Sequence, residues 1–140
     1  MFLFRKKAIP AAQADAKPPT LGDRMPDGTV YAGFSPTTGK AMYTTPADAP
    51  LPMTFKDAKQ YATKLKACSH DDWRVPTRNE LNALFNNRAS IGALDGASSP
   101  AHCYWSASER NDRNAWFQRF TDGFQHHAIK TVPSSVRCVR

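Results

Sequence analysis

The chain has 140 residues, of which 41% are hydrophobic and 22% charged, with a net charge of +7. That balance fits one globular domain and excludes a wholly disordered chain. No apolar run approaches the roughly 20 residues that span a bilayer. The basic excess is dispersed, with +3 in residues 1–20, +1 in residues 21–103 and +3 in residues 104–140. No helix face concentrates it, which argues against a specific nucleic-acid partner.

The opening MFLFRKK places its apolar residues before its basic ones, the reverse of a secretory signal, so nothing in it directs export by the ordinary route. Residues 1–20 are rich in Ala, Pro and Lys and are expected to form a flexible leader. The folded domain is expected over residues 21–140. TVYAGFS reads as a strand with Val30, Ala32 and Phe34 on one face. Pro36 and Gly39 punctuate a turn, and AMYTT follows as the partner strand of a hairpin.

Thr54 can cap a first helix, with Asp57 near its positive end. Phe55, Ala58, Tyr61, Ala62 and Leu65 make its apolar stripe, and the helix is expected to run to Cys68, ending at Ser69–Asp72. A second helix opens at VPTRNEL. Pro76 precedes it, Thr77 caps it and Glu80 completes a capping box, with Leu81, Leu84 and Phe85 inward. Residues 86–102 read as a loop. From Cys103 onward the pattern is strands. NAWFQRF alternates, with Trp116, Gln118 and Phe120 on one side, expected to face the core, and Phe117, Arg119 and Thr121 on the other, expected to face out. Asp122-Gly123 signals a tight turn, FQHHAIK returns antiparallel, and VRCVR is a last strand.

Cys68, Cys103 and Cys138 form no CxxC or Cys/His pair, which leaves a zinc site unsupported, and the odd count favours free thiols. His126 and His127 are adjacent on a strand and are expected on opposite faces, so they do not suggest a shared metal ion. There is no nucleophile elbow, phosphate loop or carboxylate pair, so neither catalysis nor a cofactor is expected. Trp73, Trp105 and Trp116 read as packing residues, and Arg74 as a partner in a structural ion pair or backbone contact beside Pro76.

DDWRVPTRNEL resembles the WRLPT-x-x-EL signature of a bacterial C-type-lectin-like family known from the C-terminal domain of a collagen-like adhesin. YWSAS, NAWFQRFTDG and VRCVR resemble further motifs of that family, in the same order, so the resemblance runs from about Gly28 to Arg140. It implies an α+β, C-type-lectin-like fold with the terminal strands together, and a scaffold that includes Trp73, Arg74, Pro76, Thr77, Glu80, Trp105, Trp116, Gly123 and Cys138. It also implies a bridge-like spacing of Cys68 and Cys138, their α-carbons within about 7 Å, expected here as reduced thiols, with Cys103 free.

Variable proteins of diversity-generating retroelements often use this scaffold. There, template copying with errors at adenines turns Asn codons into codons that cannot encode Lys, Glu, Gln, Met or Trp. The patternless positions Arg110, Asn111, Asp112, Arg113, Phe117, Thr121, Phe124, His126, His127, Ala128, Ile129, Thr131, Val132 and Pro133 obey that limit. The resemblance implies a protein that binds a protein or cell-surface ligand through these residues; the fold allows a structural calcium, but no acidic cluster nominates ligands for one, so no metal residues are assigned. Arg110, Asp112, Arg113, Phe117, Phe124, His126 and His127 are expected to share one solvent-facing surface. The alternatives are a fixed-specificity adhesin or structural module of the same fold, and a basic nucleic-acid-binding protein. Oligomeric state and localisation stay open, with cytoplasmic synthesis and display on a phage particle or cell surface both compatible.

Overall fold

A computed structural model describes residues 17–97 and 99–140. Most of the expected leader, residues 1–16, lies outside the described residues. Among those described, three helices and two small antiparallel sheets make an α+β arrangement compatible with a C-type-lectin-like fold. Strands β1 (Val30–Phe34) and β2 (Ala41–Thr44) form the first hairpin. They are followed by helices α1 (Phe55–Lys64), α2 (Arg78–Asn86) and α3 (Arg88–Ile91). Strands β3 (Cys103–Glu109), β4 (Asn114–Arg119) and β5 (Gln125–Ile129) form the second sheet in the order β3-β4-β5.

The first hairpin departs from simple alternation. Val30 and Ala32 are buried, but Phe34 is 69% exposed. The register shifts between Tyr31 and Phe34, and Gly33 sits at φ +85°. A bulge at a residue that tolerates positive φ rotates the strand and turns Phe34 outward.

Helix α1 is capped as its sequence dictates, the Thr54 hydroxyl accepting the Asp57 N–H at 3.3 Å. It ends earlier than the apolar stripe suggests, because Leu65 is already extended at φ −67°, ψ 126°. Ala67 and His70 then exchange backbone hydrogen bonds around Cys68 and Ser69, whose φ values are 53° and 64°. Cys68 therefore lies in a tight turn beyond the helix. All three cysteines are free thiols. Cys68 packs against the apolar cluster that holds Cys138, and burial pushes the Cys138 thiol up to about 12.

Helix α2 has the complete capping box. The Thr77 hydroxyl accepts the Glu80 N–H, and the Glu80 carboxylate accepts the Thr77 N–H at 2.9 Å. The same carboxylate receives Arg74 through both terminal nitrogens, at 2.5 and 2.7 Å, and the Ser35 hydroxyl at 2.6 Å. Burial opposes ionisation of Glu80, but these donors outweigh it and hold the carboxyl down to about 2. Helix α3 falls inside the stretch read as a loop from its composition. It is a short turn after Asn87, closed by Gly92 at φ +79°.

Residues 134–140 form no regular strand, unlike the expected last strand at VRCVR. They make isolated bridges instead. Ser134 pairs with Met53, Ser135 lies parallel to Tyr104, and Val139 bridges both Thr44 and Arg74. Tyr43 and Arg140 exchange two backbone hydrogen bonds at 2.9 Å. The end of the chain thus joins the first hairpin, the second sheet and the segment before α2. Two apolar clusters flank it, one around Met42, Leu81, Leu84 and Tyr104, the other around Phe55, Trp73, Trp105 and Val136. Arg137 is buried between them, its Nε donating to Asp48 at 3.0 Å.

Candidate functional site

The patternless residues fall on the β3–β4 loop, the β4–β5 hairpin and the turn after β5. Strand β4 has both faces covered. Ala115 and Phe117 lie on the cluster around Trp105, whereas Gln118 is fully buried on the opposite side. Its amide donates to Asn82 of α2 at 2.9 Å and to the Gly123 carbonyl at 3.1 Å, and a buried polar side chain needs such partners. This corrects the expectation for Phe117, which packs inward. Trp116 takes the other side, half-buried, with the Arg78 guanidinium 3.6 Å from its ring centroid. The side expected to face the core does so, with Gln118 and Phe120 buried, but the opposite face is covered as well. Helix α2 covers the Gln118 side, and the cluster around Trp105 covers the Phe117 side.

From Trp116 a row of rings runs along the hairpin. His127 meets Trp116 edge-on at 5.6 Å, His126 stacks on His127 at 4.4 Å, and Phe124 stacks on His126 at 5.7 Å. Arg119 lies 5.2 Å from the Phe124 centroid. The two imidazoles are thus neighbours, not separated by the sheet as strand alternation predicts. Among the described residues strand β5 has no outer neighbour, and His126 Nδ1 lies 2.9 Å from the His127 carbonyl. Partial burial and then the Arg110 charge hold the His127 pKa below its ordinary value. Among the described residues no cluster of His, Cys, Asp or Glu could hold a metal ion.

Arg110, Asn111, Asp112 and Arg113 are exposed in the loop between β3 and β4. The Asn111 side-chain oxygen shapes this loop, accepting the Arg113 N–H at 2.9 Å and the Asn114 N–H at 2.8 Å. Phe124 and Ile129 are 48% and 57% exposed, and Thr131, Val132 and Pro133 are exposed beside them. Ala128 is half-buried and, like Phe117, packs on the interior cluster. Thr121 is exposed at the far end, lining a groove with Asn86, Arg88, Asp95 and His102. Arg110, Asp112 and Arg113 are thus exposed at one end of β4, Phe124 and His126 are exposed along β5 from its other end, His127 is half-buried, and Phe117 and Ala128 pack inside.

At the β4–β5 turn, Arg119 binds Asp122 through two hydrogen bonds at 2.9 and 2.6 Å, and the Phe124 N–H donates to Asp122 at 3.0 Å. These hold the Asp122 carboxyl down to about 2. Gly123 has φ +83°, and a β-carbon there would meet the Phe85 ring at 2.5 Å. Sequence reasoning missed Arg78 and Gln125. Arg78 Nε donates to Gln125 Oε1 at 3.2 Å while the guanidinium covers Trp116. The only sequence signal was that Arg78 opens the helix whose cap had been recognised.

Residues 34–140 match the family model of the Lcl C-terminal domain, and the chain belongs to that family. This membership suggests a binding module of the adhesin type. A search of the curated proteins finds no match.

Proposed function

We propose that this domain is a ligand-binding module without catalytic activity, that its binding face is the β3–β4 loop, β5 and the turn after it, and that a retroelement diversifies the DNA encoding that face. Its ligand is a protein or cell-surface structure. One observation carries the reading. The positions compatible with adenine-directed change are mostly exposed on one hairpin, whose interior is packed by Trp105, Ala115, Phe117 and Gln118. Substitution at such exposed positions costs little stability. Arg, His and aromatic side chains at a surface are also the types that anchor binding interfaces.

The test is the DNA around the gene. A reverse transcriptase gene and a near-copy of the final coding segment, differing at adenines, are expected. A segment with neither, and no variation at these codons among sister isolates, would leave the fixed-specificity adhesin as the reading.

A further inference from the structure

We propose that the outer edge of β5, with the guanidinium groups of Arg110 and Arg113, is a donor surface for an extended acidic segment of a partner protein. This rests on the reading of the hairpin as a binding face and names the chemistry of its partner.

The register fixes which groups point outward. Phe117 pairs with His126 and Ala115 with Ala128, and the flanking bonds run from Arg119 N–H to Phe124 and from Lys130 N–H to Arg113. Residues 124, 126, 128 and 130 therefore turn their backbone groups toward β4, and Gln125, His127 and Ile129 turn theirs to the open edge. Two carbonyls on that edge already have partners. His126 Nδ1 lies 2.9 Å from the His127 carbonyl, and the Val132 N–H donates to that of Ile129 at 3.0 Å. The N–H groups of Gln125, His127 and Ile129 have no such partner among the described residues.

The side chains show the same imbalance. Arg110 and Arg113 have no carboxylate partner among the described residues. Asp122 is held by Arg119, Glu109 lies 3.7 Å from Lys130, and the Asn111 oxygen is occupied by its own loop. Of these groups Asp112 alone stays open as an acceptor. A surface with donors to spare and few acceptors takes a partner rich in acceptors. The outward N–H groups recur every second residue, about 6.8 Å apart, the repeat of an extended peptide. The segment QHHAI also lacks the Pro, Lys or bulge that usually protects an edge. A second copy of this chain fits poorly, since it brings the same donors and a net charge of +7.

The test uses the whole chain and a fluorescein-labelled peptide of alternating Glu and Val, followed by anisotropy. Binding is expected, with Arg110→Glu/Arg113→Glu abolishing it. His127→Pro removes one outward donor at a place where an edge strand tolerates proline. It should weaken binding up to about tenfold more than His127→Ala does, as loss of one backbone hydrogen bond implies. Amide exchange in the unmutated protein gives a second readout should the proline variant not fold: the Gln125, His127 and Ile129 amides should slow when peptide binds. Unchanged exchange with equal affinities of the His127→Pro and His127→Ala variants would overturn use of the edge, leaving the hairpin as a binding face. Binding of sulfated polysaccharide or single-stranded DNA without any peptide binding would overturn the acidic-peptide partner.

Discussion

Arginine does opposite work in two parts of this molecule. Before α2, Arg74 is locked to a fully buried Glu80, whose oxygens also serve Ser35 and Thr77. At the hairpin, Arg110 and Arg113 extend from a loop with no carboxylate partner among the described residues, and Arg78 of α2 lies over the Trp116 ring. The first arrangement satisfies every acceptor and tolerates no change, since removing one partner strands a buried charge. The second leaves donors at a surface where substitutions disturb little packing. The proposed binding face is thus separable from the scaffold that carries it.

The comparison breaks first if the scaffold proves tolerant. Arg74→Ala leaves the fully buried Glu80 carboxylate without its guanidinium partner and should cost about 3–5 kcal/mol, read as a large fall in the midpoint of denaturant unfolding. The pH dependence follows from the same group. The folded Glu80 pKa of about 2 lies below its ordinary 4.5, so its stabilisation is present above pH 4.5. That contribution is lost as pH falls toward 2. Acid unfolding followed by circular dichroism should lose this component in Glu80→Gln.

Phe117 sharpens the boundary, since it lies among the face residues in sequence and on the interior cluster in space. Phe117→Ala should cost about 2–4 kcal/mol, whereas a residue belonging only to the face would leave the melting curve in place. Gly123→Ala should cost about 1–3 kcal/mol, from a positive φ and a clash with Phe85, again measured by chemical unfolding. Arg113→Ala and Phe124→Ala sit at the other extreme. Each should shift stability by no more than about 0.5 kcal/mol while weakening capture of a ligand selected on this face.

Much of the scaffold was legible because its signals are local. Thr77 and Glu80 announce a helix start by spacing alone, and Asp122-Gly123 announces the hairpin. What was hidden depended on neighbours distant in sequence. Alternation gave the core-facing side of β4, with Gln118 and Phe120, but nothing near Phe117 reveals that the cluster around Trp105 covers the second face too. The bulge that exposes Phe34 needs the glycine at position 33 to be read as a break in register, not as a gap in alternation. Helix α1 stops before its apolar stripe does, since Ala67 and His70 close a turn in which Asp27 holds the His70 ring at 2.7 Å. The proposed face is marked only by a stretch without period, a signal that cannot say which of its side chains, such as Phe117 and Ala128, point in.

The separation of scaffold from face is tested most directly by one library measurement. Arg110, Asp112, Arg113, Phe124, His126, His127, Ile129 and Val132 are randomised together, and the displayed variants are scored for folding and for binding to an unrelated protein target. The account predicts that most variants stay folded, with unfolding midpoints near that of the parent, and that binders to the new target emerge among them. A library in which most members unfold, or which folds well but yields no binders, would contradict it.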